Sequence, residues 1–339
     1  MGDLPATANV VIIGAGFAGT ATAWALQRLG IAEVIVLERE VQLGRFASGR
    51  AAGLGRQLTE DEDTAGLTVR GAAVLRTLPV WSPTGGVLSF DDQANAQAYL
   101  ERARRRGVAV EPGGKELVTA RWPQLPDLNV VAALWVPSDG TIDVAGLLAI
   151  YAHGVRIEIA TPVVRVDPVA RGANVVTARG TIAARVVVDA SGAWAGELVG
   201  GDPLNSFKRH VFIMDATVPD RAPWLWHLGA GEIYLRRDGA SVLASPCDAA
   251  KCPPGHQEPD LVGEAHLRRV LDECDSALAG VPITRRWACQ RAYTEDRKMR
   301  LGGDPNRPWL VWAAGLGGHG ATASAAIGER VAAAVVEAL

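Results

Sequence analysis

Residues Asn9 to Glu38 constrain this chain more than any other stretch. They read NVVIIGAGFAGTATAWALQRLGIAEVIVLE. Val10–Ile13 is a short β-branched run suited to a buried parallel strand. The turn Gly14-Ala15-Gly16-Phe17-Ala18-Gly19 follows at once, and an alanine-rich, helix-forming stretch runs on to Leu29. Gly30 closes that helix, and Val34–Leu37 forms a second strand ending on Glu38, about 20 residues beyond the last glycine. Each part has a physical role. Gly14 permits the tight turn, Gly16 lets backbone approach a pyrophosphate, and Gly19 lets helix and strand pack closely. The helix N-terminus offers unpaired N–H groups and a positive dipole end. Glu38 can accept from both hydroxyls of a ribose and repels a 2′-phosphate, which argues against NADP. The motif predicts a dinucleotide site and leaves FAD and NAD open.

The remaining composition narrows the class. A chain of 339 residues makes one large or two medium domains. Its 34 basic and 37 acidic residues nearly balance, with no basic block, so nucleic acid is not an expected partner. No apolar run is long enough to span a bilayer, and a first strand at Asn9 leaves no room for a secretory leader. The expectation is a soluble cytoplasmic protein. Cys247, Cys252, Cys274 and Cys289 show no disulfide framework. Cys247, Cys252, His256 and His266 do not have the spacing of a zinc site, so no metal is expected.

After Glu38 comes a loop rich in Gly, Ser and Arg, with small residues at 47–49 and 51–53, which suits backbone lying against a flat ligand. Helices are expected at Ala65–Leu78, Gln93–Arg106 and Lys115–Arg121, and from an Asp143 N-cap to Tyr151. Strands are expected at 86–90, 130–136, 155–159, 163–166, 175–178 and 181–182. Arg185–Asp189 (RVVVD) is a buried-type strand leading into ASGAWAGELVG, a small-residue turn and helix. Lys208–Ser245 reads as β, Asp260–Leu278 as helix, Ile283–Tyr293 and Pro308–Ala314 as strands. GLGGHG then opens a last helix. The chain is α/β: a Rossmann-like nucleotide domain assembled from separated pieces, with an inserted α+β domain on a mostly antiparallel sheet.

These segments together resemble the D-amino-acid oxidase superfamily of flavoproteins across essentially the whole chain. VVVDASGAWAGEL (Val186–Leu198) resembles its second FAD segment, and WACQRAYTED with WLVWAAGLGGHGATASAAIGE resembles its carboxyl-terminal part. SGRAAG (Ser48–Gly53), IYLRRDGASVLASP (Ile233–Pro246) and WACQR (Trp287–Arg291) are similar to segments of D-arginine dehydrogenase and glycine oxidase-like members. The resemblance implies non-covalent FAD with its ring at a domain interface. It implies 1–78, 143–202 and 292–339 as the FAD domain, and 79–142 with 203–291 as the substrate domain. The implied reaction is oxidation of the C–N bond of an amino acid or small carboxylated amine to the imine, by hydride transfer from Cα to the flavin. Phe46 stands where arginine-specific relatives have a His, and Thr77 where they have a Glu. Those departures imply a side chain that is not cationic.

On this resemblance the cofactor residues are Gly14, Gly16, Phe17, Ala18, Gly19, Glu38, Arg39, Arg45, Ser48, Gly49, Val163, Ser191, Gly192 and Trp194. The glycine loop Gly315, Gly317, Gly318, His319, Gly320, Ala321 and Thr322 joins them, its N–H groups serving the flavin's pyrimidine oxygens. Arg291 is the expected carboxylate clamp, because a guanidinium grips a carboxylate in two-point fashion. The other reading of Arg291 is an ion pair with Glu295 or Asp296. Tyr234 can donate to the substrate, or sit in the core with its hydroxyl outward. Arg209 and His210 start a strand expected to line the substrate domain. The electron acceptor stays open between oxygen, a quinone and a dye. Some oxidases of the superfamily activate oxygen with a Lys, and none lies in Ser241–Ser245, which favours a dehydrogenase. Alternatives are an oxygen-using glycine- or sarcosine-type oxidase, and a flavin-bearing subunit of a larger complex, with the short helix after Asp143 and the tryptophan-rich Pro223–Leu228 as its partner surface; a homo-oligomer is also open.

Overall fold

In the computed structural model, which describes residues 3–339, strand Thr7–Ile13 lies at the centre of an eight-stranded sheet. Val34–Leu37 and Gly180–Asp189 flank it in parallel. Burial on both faces is what its unbroken β-branched run requires. Val10 and Ile12 face a core shared with Leu26 and with Ile327 and Val331 of the last helix; Val11 and Ile13 face the opposite way, toward Val166, Val175 and Ile182. Strand Gly180–Asp189 divides its partners. Its first half carries the antiparallel hairpin Val163–Val169 and Gly172–Thr177, and its last three residues pair in parallel with Arg307–Ala314. Asp189 and Ile13 thus end side by side, each running into a small-residue turn.

The second sheet has nine strands and is antiparallel except where Trp224–Leu228 runs parallel to Gly86–Phe90. Ile283–Tyr293 pairs along the whole of Asn205–Met214, placing Arg209 opposite Cys289. One face packs on Trp122, Leu267 and Leu271 from the helices and the loop that cover it. The other face carries Leu88, Phe90, Trp224, Trp226, Tyr234 and Cys247 and meets Leu54 and Leu58 from the loop after the first nucleotide unit. The tryptophan-rich Pro223–Leu228 therefore lies inside. Trp224 is fully buried and Trp226 nearly so, which corrects the expectation of a partner surface there.

Aspartates set the helix starts. Asp61, Asp92, Asp143 and Asp260 each accept from a backbone N–H three residues on. The Asp61 cap begins its helix at Glu62, earlier than the hydrophobic pattern suggests, and that helix ends at Leu75. The helix expected after Asp189 shrinks to the single 3-10 turn Gly192–Trp194, because Gly192 and Gly196 take φ of +67° and +94° and break any longer run. Arg300–Asp304 forms a hairpin strand with Arg307–Ala314 that its glycines hid from pattern reading. Leu54–Gly55, Gly140–Ile142 and Trp81–Ser82 form a small third sheet. No helix among the described residues is long and apolar enough to cross a membrane.

Asp139, fully buried next to that small sheet, gives a pH-dependent stability. Its Oδ1 accepts from Gln57 N at 3.2 Å and Gln57 Nε2 at 2.7 Å, while Oδ2 has no partner among the described residues. Burial pushes its carboxyl up to about 7 from the ordinary 3.8. The folded chain therefore holds this proton more tightly than the unfolded chain, and the contribution declines as pH rises from 3.8 to about 7. The expected result is a thermal midpoint that falls across this window and a shallower fall in Asp139→Asn. An unchanged slope in the variant would exclude Asp139 as the source.

Candidate active site

Two contiguous cavities lie between the parallel sheet and the inner face of the second sheet. The larger, of about 380 Å³, is lined by Gly14, Gly16, Phe17, Ala18, Glu38, Arg39, Arg45 and Ser48 from the first unit. Val163, Ser191, Gly192, Trp194, Gly315 and Gly317 complete it. Glu38 is held at its mouth by two backbone donors, Ala15 N–H at 2.8 Å and Glu40 N–H at 2.9 Å. Phe17 N–H donates to Ser48 Oγ at 2.9 Å. The N–H groups of Gly16 and Ala18 have no acceptor among the described residues, so the helix start keeps free donors beside the cavity. Gly14 makes the turn at φ +102°, where a Cβ would lie 2.5 Å from the Ala190 carbonyl oxygen.

The opposite wall is built by Asp189. Its carboxylate accepts from Ser191 N–H, from the Ser191 hydroxyl and from Gly196 N–H, which folds 189–196 back over the cavity. This presents Trp194, with Arg39 stacked 3.7 Å from its ring centroid and Phe46 edge-on at 4.8 Å. Phe46 thus belongs to the larger cavity beside Arg39. Gly19 and Gly49 line neither cavity: a Cβ on Gly19 would overlap the Gly14 carbonyl oxygen, and Gly49 N–H donates to Gly44 O at 2.7 Å. Gly19 thus packs helix against strand, as its place in the motif requires, while Gly49 closes the loop on Gly44, a correction to its expected place against the ligand.

The smaller cavity, of about 110 Å³, shares Phe17, Ser48, Leu316 and Gly317 with the larger one. Arg291, Tyr234, Trp226, Arg56 and Cys289 line it from one side, and Gly318 to Thr322 from the other. Arg291 has no hydrogen-bond or ion-pair partner among the described residues. The alternative ion pair is not formed, and Asp296 instead accepts from Thr294 Oγ1 and Lys298 N–H. Gly318 makes room for the guanidinium, since a Cβ there would lie 2.9 Å from Arg291 Nη1. The Tyr234 hydroxyl likewise has no protein partner among the described residues, and burial pushes its phenol up to about 12, so it is a neutral donor. The N–H groups of Gly320, Ala321 and Thr322 precede the first bonded one, Ala323 N–H to His319 O, and form a free helix N-terminus on this cavity.

His319 sits in a charged cluster. Its Nε2 is 3.3 Å from Glu60 Oε2, and Arg56 Nη2 donates to Glu60 Oε1 at 2.9 Å. Burial opposes ionisation of Glu60, but the Arg56 charge and the His319 hydrogen bond outweigh it and hold the carboxyl well below the usual range. Arg56 stacks 4.0 Å from the Trp226 ring centroid. Arg56, Glu60 and Trp226 were not singled out from sequence. Arg56 follows the small-residue loop within three residues, and Glu60 stands four residues further on, before the helix at Glu62, but nothing local marks them as facing a pocket on another domain.

Three expected positions are elsewhere. His210 lines neither cavity; Nδ1 lies 2.7 Å from Asp248 Oδ2, and Nε2 accepts from Asp260 N–H at 3.0 Å. Both ring nitrogens are occupied, so it is a structural clasp, not a ligand contact. Arg209 also lies outside the lining, its Nε donating to Asp248 O at 2.7 Å. Thr77 is exposed and donates to Val74 O, and with Phe46 in the larger cavity neither position reads the substrate side chain.

Residues 9–334 match the DAO family, described as FAD dependent oxidoreductase. The chain belongs to that family. Among relatives of this DAO-family chain, mouse (Mus musculus) mitochondrial dimethylglycine dehydrogenase is 24% identical over 82% of this chain and 36% of its own length. Mouse mitochondrial sarcosine dehydrogenase is 34% identical over 58% of this chain and 24% of its own. The chain thus spans about a third or less of these curated relatives. The solved structure of L-proline dehydrogenase from P. horikoshii superposes with a TM-score of 0.89 at 23% identity, covering 98% of this chain and 94% of that one. The family's FAD fits the residues present. The free N–H groups of Gly16 and Ala18 suit a pyrophosphate, Glu38 suits a ribose, and the helix end at Gly320–Thr322 suits an electron-rich ring edge.

Proposed function

We propose that this chain oxidises the C–N bond of an amino acid or small carboxylated amine to the imine. The observation that carries this reading is Arg291, a guanidinium without a protein acceptor, lining a small cavity that continues into the dinucleotide cleft. A cation in such a site calls for an anion. FAD, when bound, supplies the two-electron acceptor for the hydride leaving the substrate Cα. Arg291 grips the carboxylate through two N–H groups and fixes the orientation of Cα–H. Tyr234 donates a further hydrogen bond to the carboxylate. The N–H groups of Gly320–Thr322 and their helix dipole stabilise negative charge that develops opposite. Phe17, Leu316 and Trp226 exclude water.

No side chain is assigned as a general base. The amine binds neutral, and the nitrogen lone pair forms the C=N bond as the hydride leaves. The imine then takes up water and gives an oxo acid and ammonia or an amine. Non-cationic substrates are favoured because Arg56 and Arg291 both line the cavity, a reason that replaces Phe46 and Thr77. No lysine lines either cavity among the described residues, in keeping with a dehydrogenase that passes electrons to a quinone or dye. A dye-coupled assay with product analysis tests the reading. Oxo acid formed in step with dye reduction supports it, and dye reduction by amines lacking a carboxylate with equal efficiency contradicts it.

A further inference from the structure

We propose that the small cavity takes a carboxylated amine bearing a second carboxylate, with Arg291 holding one carboxylate and Arg56 the other. This rests on the amine-oxidation reading above and names its substrate class. Arg56 is 3% exposed, lines the cavity, and its Nη1 is buried with no partner among the described residues. A buried guanidinium N–H without an acceptor is costly, and beside a cavity a ligand can satisfy it. No carboxylate nearby bonds to Arg56 Nη1, and Asp139 is held through Oδ1 by Gln57. Glu60 takes Arg56 Nη2, Glu232 accepts from Trp226 Nε1 at 2.8 Å, and Asp248 is held by His210. Neither Arg56 Nη1 nor Arg291 receives any of them.

The two guanidiniums are arranged around one ring, with Cζ of Arg56 4.0 Å and Cζ of Arg291 5.9 Å from the Trp226 centroid. A single short ligand can therefore meet both. Arg209 adds positive charge behind this wall, paired in register with Cys289 and with its own Nη1 buried and unpartnered. A monocarboxylate satisfies Arg291 and leaves Arg56 Nη1 bare; a second carboxylate one or two carbons away satisfies both. The cavity volume of about 110 Å³ limits the ligand to aspartate- or iminodiacetate-sized molecules.

The test measures dissociation constants of unreactive succinate and malonate against butyrate and acetate, from perturbation of the bound flavin spectrum. Flavin reduction by aspartate and iminodiacetate is compared in parallel with that by asparagine and N-methylglycine. The diacids should bind about tenfold or more tightly than the monoacids, as a charge-assisted pair provides. Arg56→Gln should bring the ratio near parity, and Glu60→Gln, which removes the negative charge that offsets Arg56, should raise it. Near-parity in the native protein overturns the proposal. So does a ratio that survives Arg56→Gln in a variant that melts normally, or one that falls in Glu60→Gln, which decides the matter if Arg56→Gln does not fold. If diacids bind preferentially but no amine reduces the flavin, the second-carboxylate site stands and the amine-oxidation reading fails.

Discussion

Arg291→Ala lowers the efficiency of flavin reduction by a carboxylated amine on the order of 10²–10³-fold, while flavin content and thermal midpoint stay close to those of the native protein. The magnitude follows from removing one partner of a desolvated ion pair, which costs about 2–5 kcal/mol. Arg291 bonds to no acceptor among the described residues, so its loss leaves no orphaned carboxylate behind. The effect should therefore be confined to ligand binding and orientation. Arg291→Lys should recover only part of the loss, because an ammonium supplies charge without the two-point fork that orients Cα–H. Rapid-mixing measurements of the reduction rate against substrate concentration check this. An Arg291→Ala protein that reduces at the native rate and affinity would remove the carboxylate clamp from the account.

Gly14→Ala weakens FAD retention. At φ +102° an L-residue is strained, and the new Cβ would lie 2.5 Å from the Ala190 carbonyl oxygen, a backbone atom with no rotamer to yield. The clash falls where Thr7–Ile13 and Gly180–Asp189 end together, so relief must open the cavity's floor. Strain of this kind costs roughly 1–3 kcal/mol before the overlap is counted, enough to lower flavin affinity about tenfold or more. The ratio of flavin to protein after desalting measures it, alongside the thermal midpoint. A fully loaded Gly14→Ala protein of native stability would contradict the geometry assigned to this turn.

The nucleotide half was legible in sequence because its determinants are local. Strand, glycine turn, helix and terminal Glu38 follow one another within thirty residues or so, and each is required by the next. The strand Ile283–Tyr293 and the helix Gln93–Arg106 were equally readable, and both take their expected bounds. What was missed is non-local. His210 stands on the expected strand, but alternation points it to the face where Asp248 and Asp260 close on it, and only the sheet's register reveals that. Arg56 and Trp226 meet across more than a hundred residues of chain, so no spacing rule connects them. Phe46 and Thr77 were placed by resemblance alone; Phe46 packs on Trp194 in the larger cavity and Thr77 is exposed. The turn after Asp189 has helix-forming alanines, but two left-handed glycines override them.

The central claim is that a carboxylated amine passes its Cα hydride equivalent to the cofactor held in the larger cleft. Anaerobic mixing of the purified protein with D-, L- and N-methyl amino acids, amino dicarboxylates included, tests it most directly, with the main visible flavin band as the signal. Rapid bleaching is expected with at least one carboxylated amine, none with the matching amine that lacks a carboxylate, and the bleaching should be lost in Arg291→Ala. A flavin-loaded protein that no member of the panel reduces would contradict it.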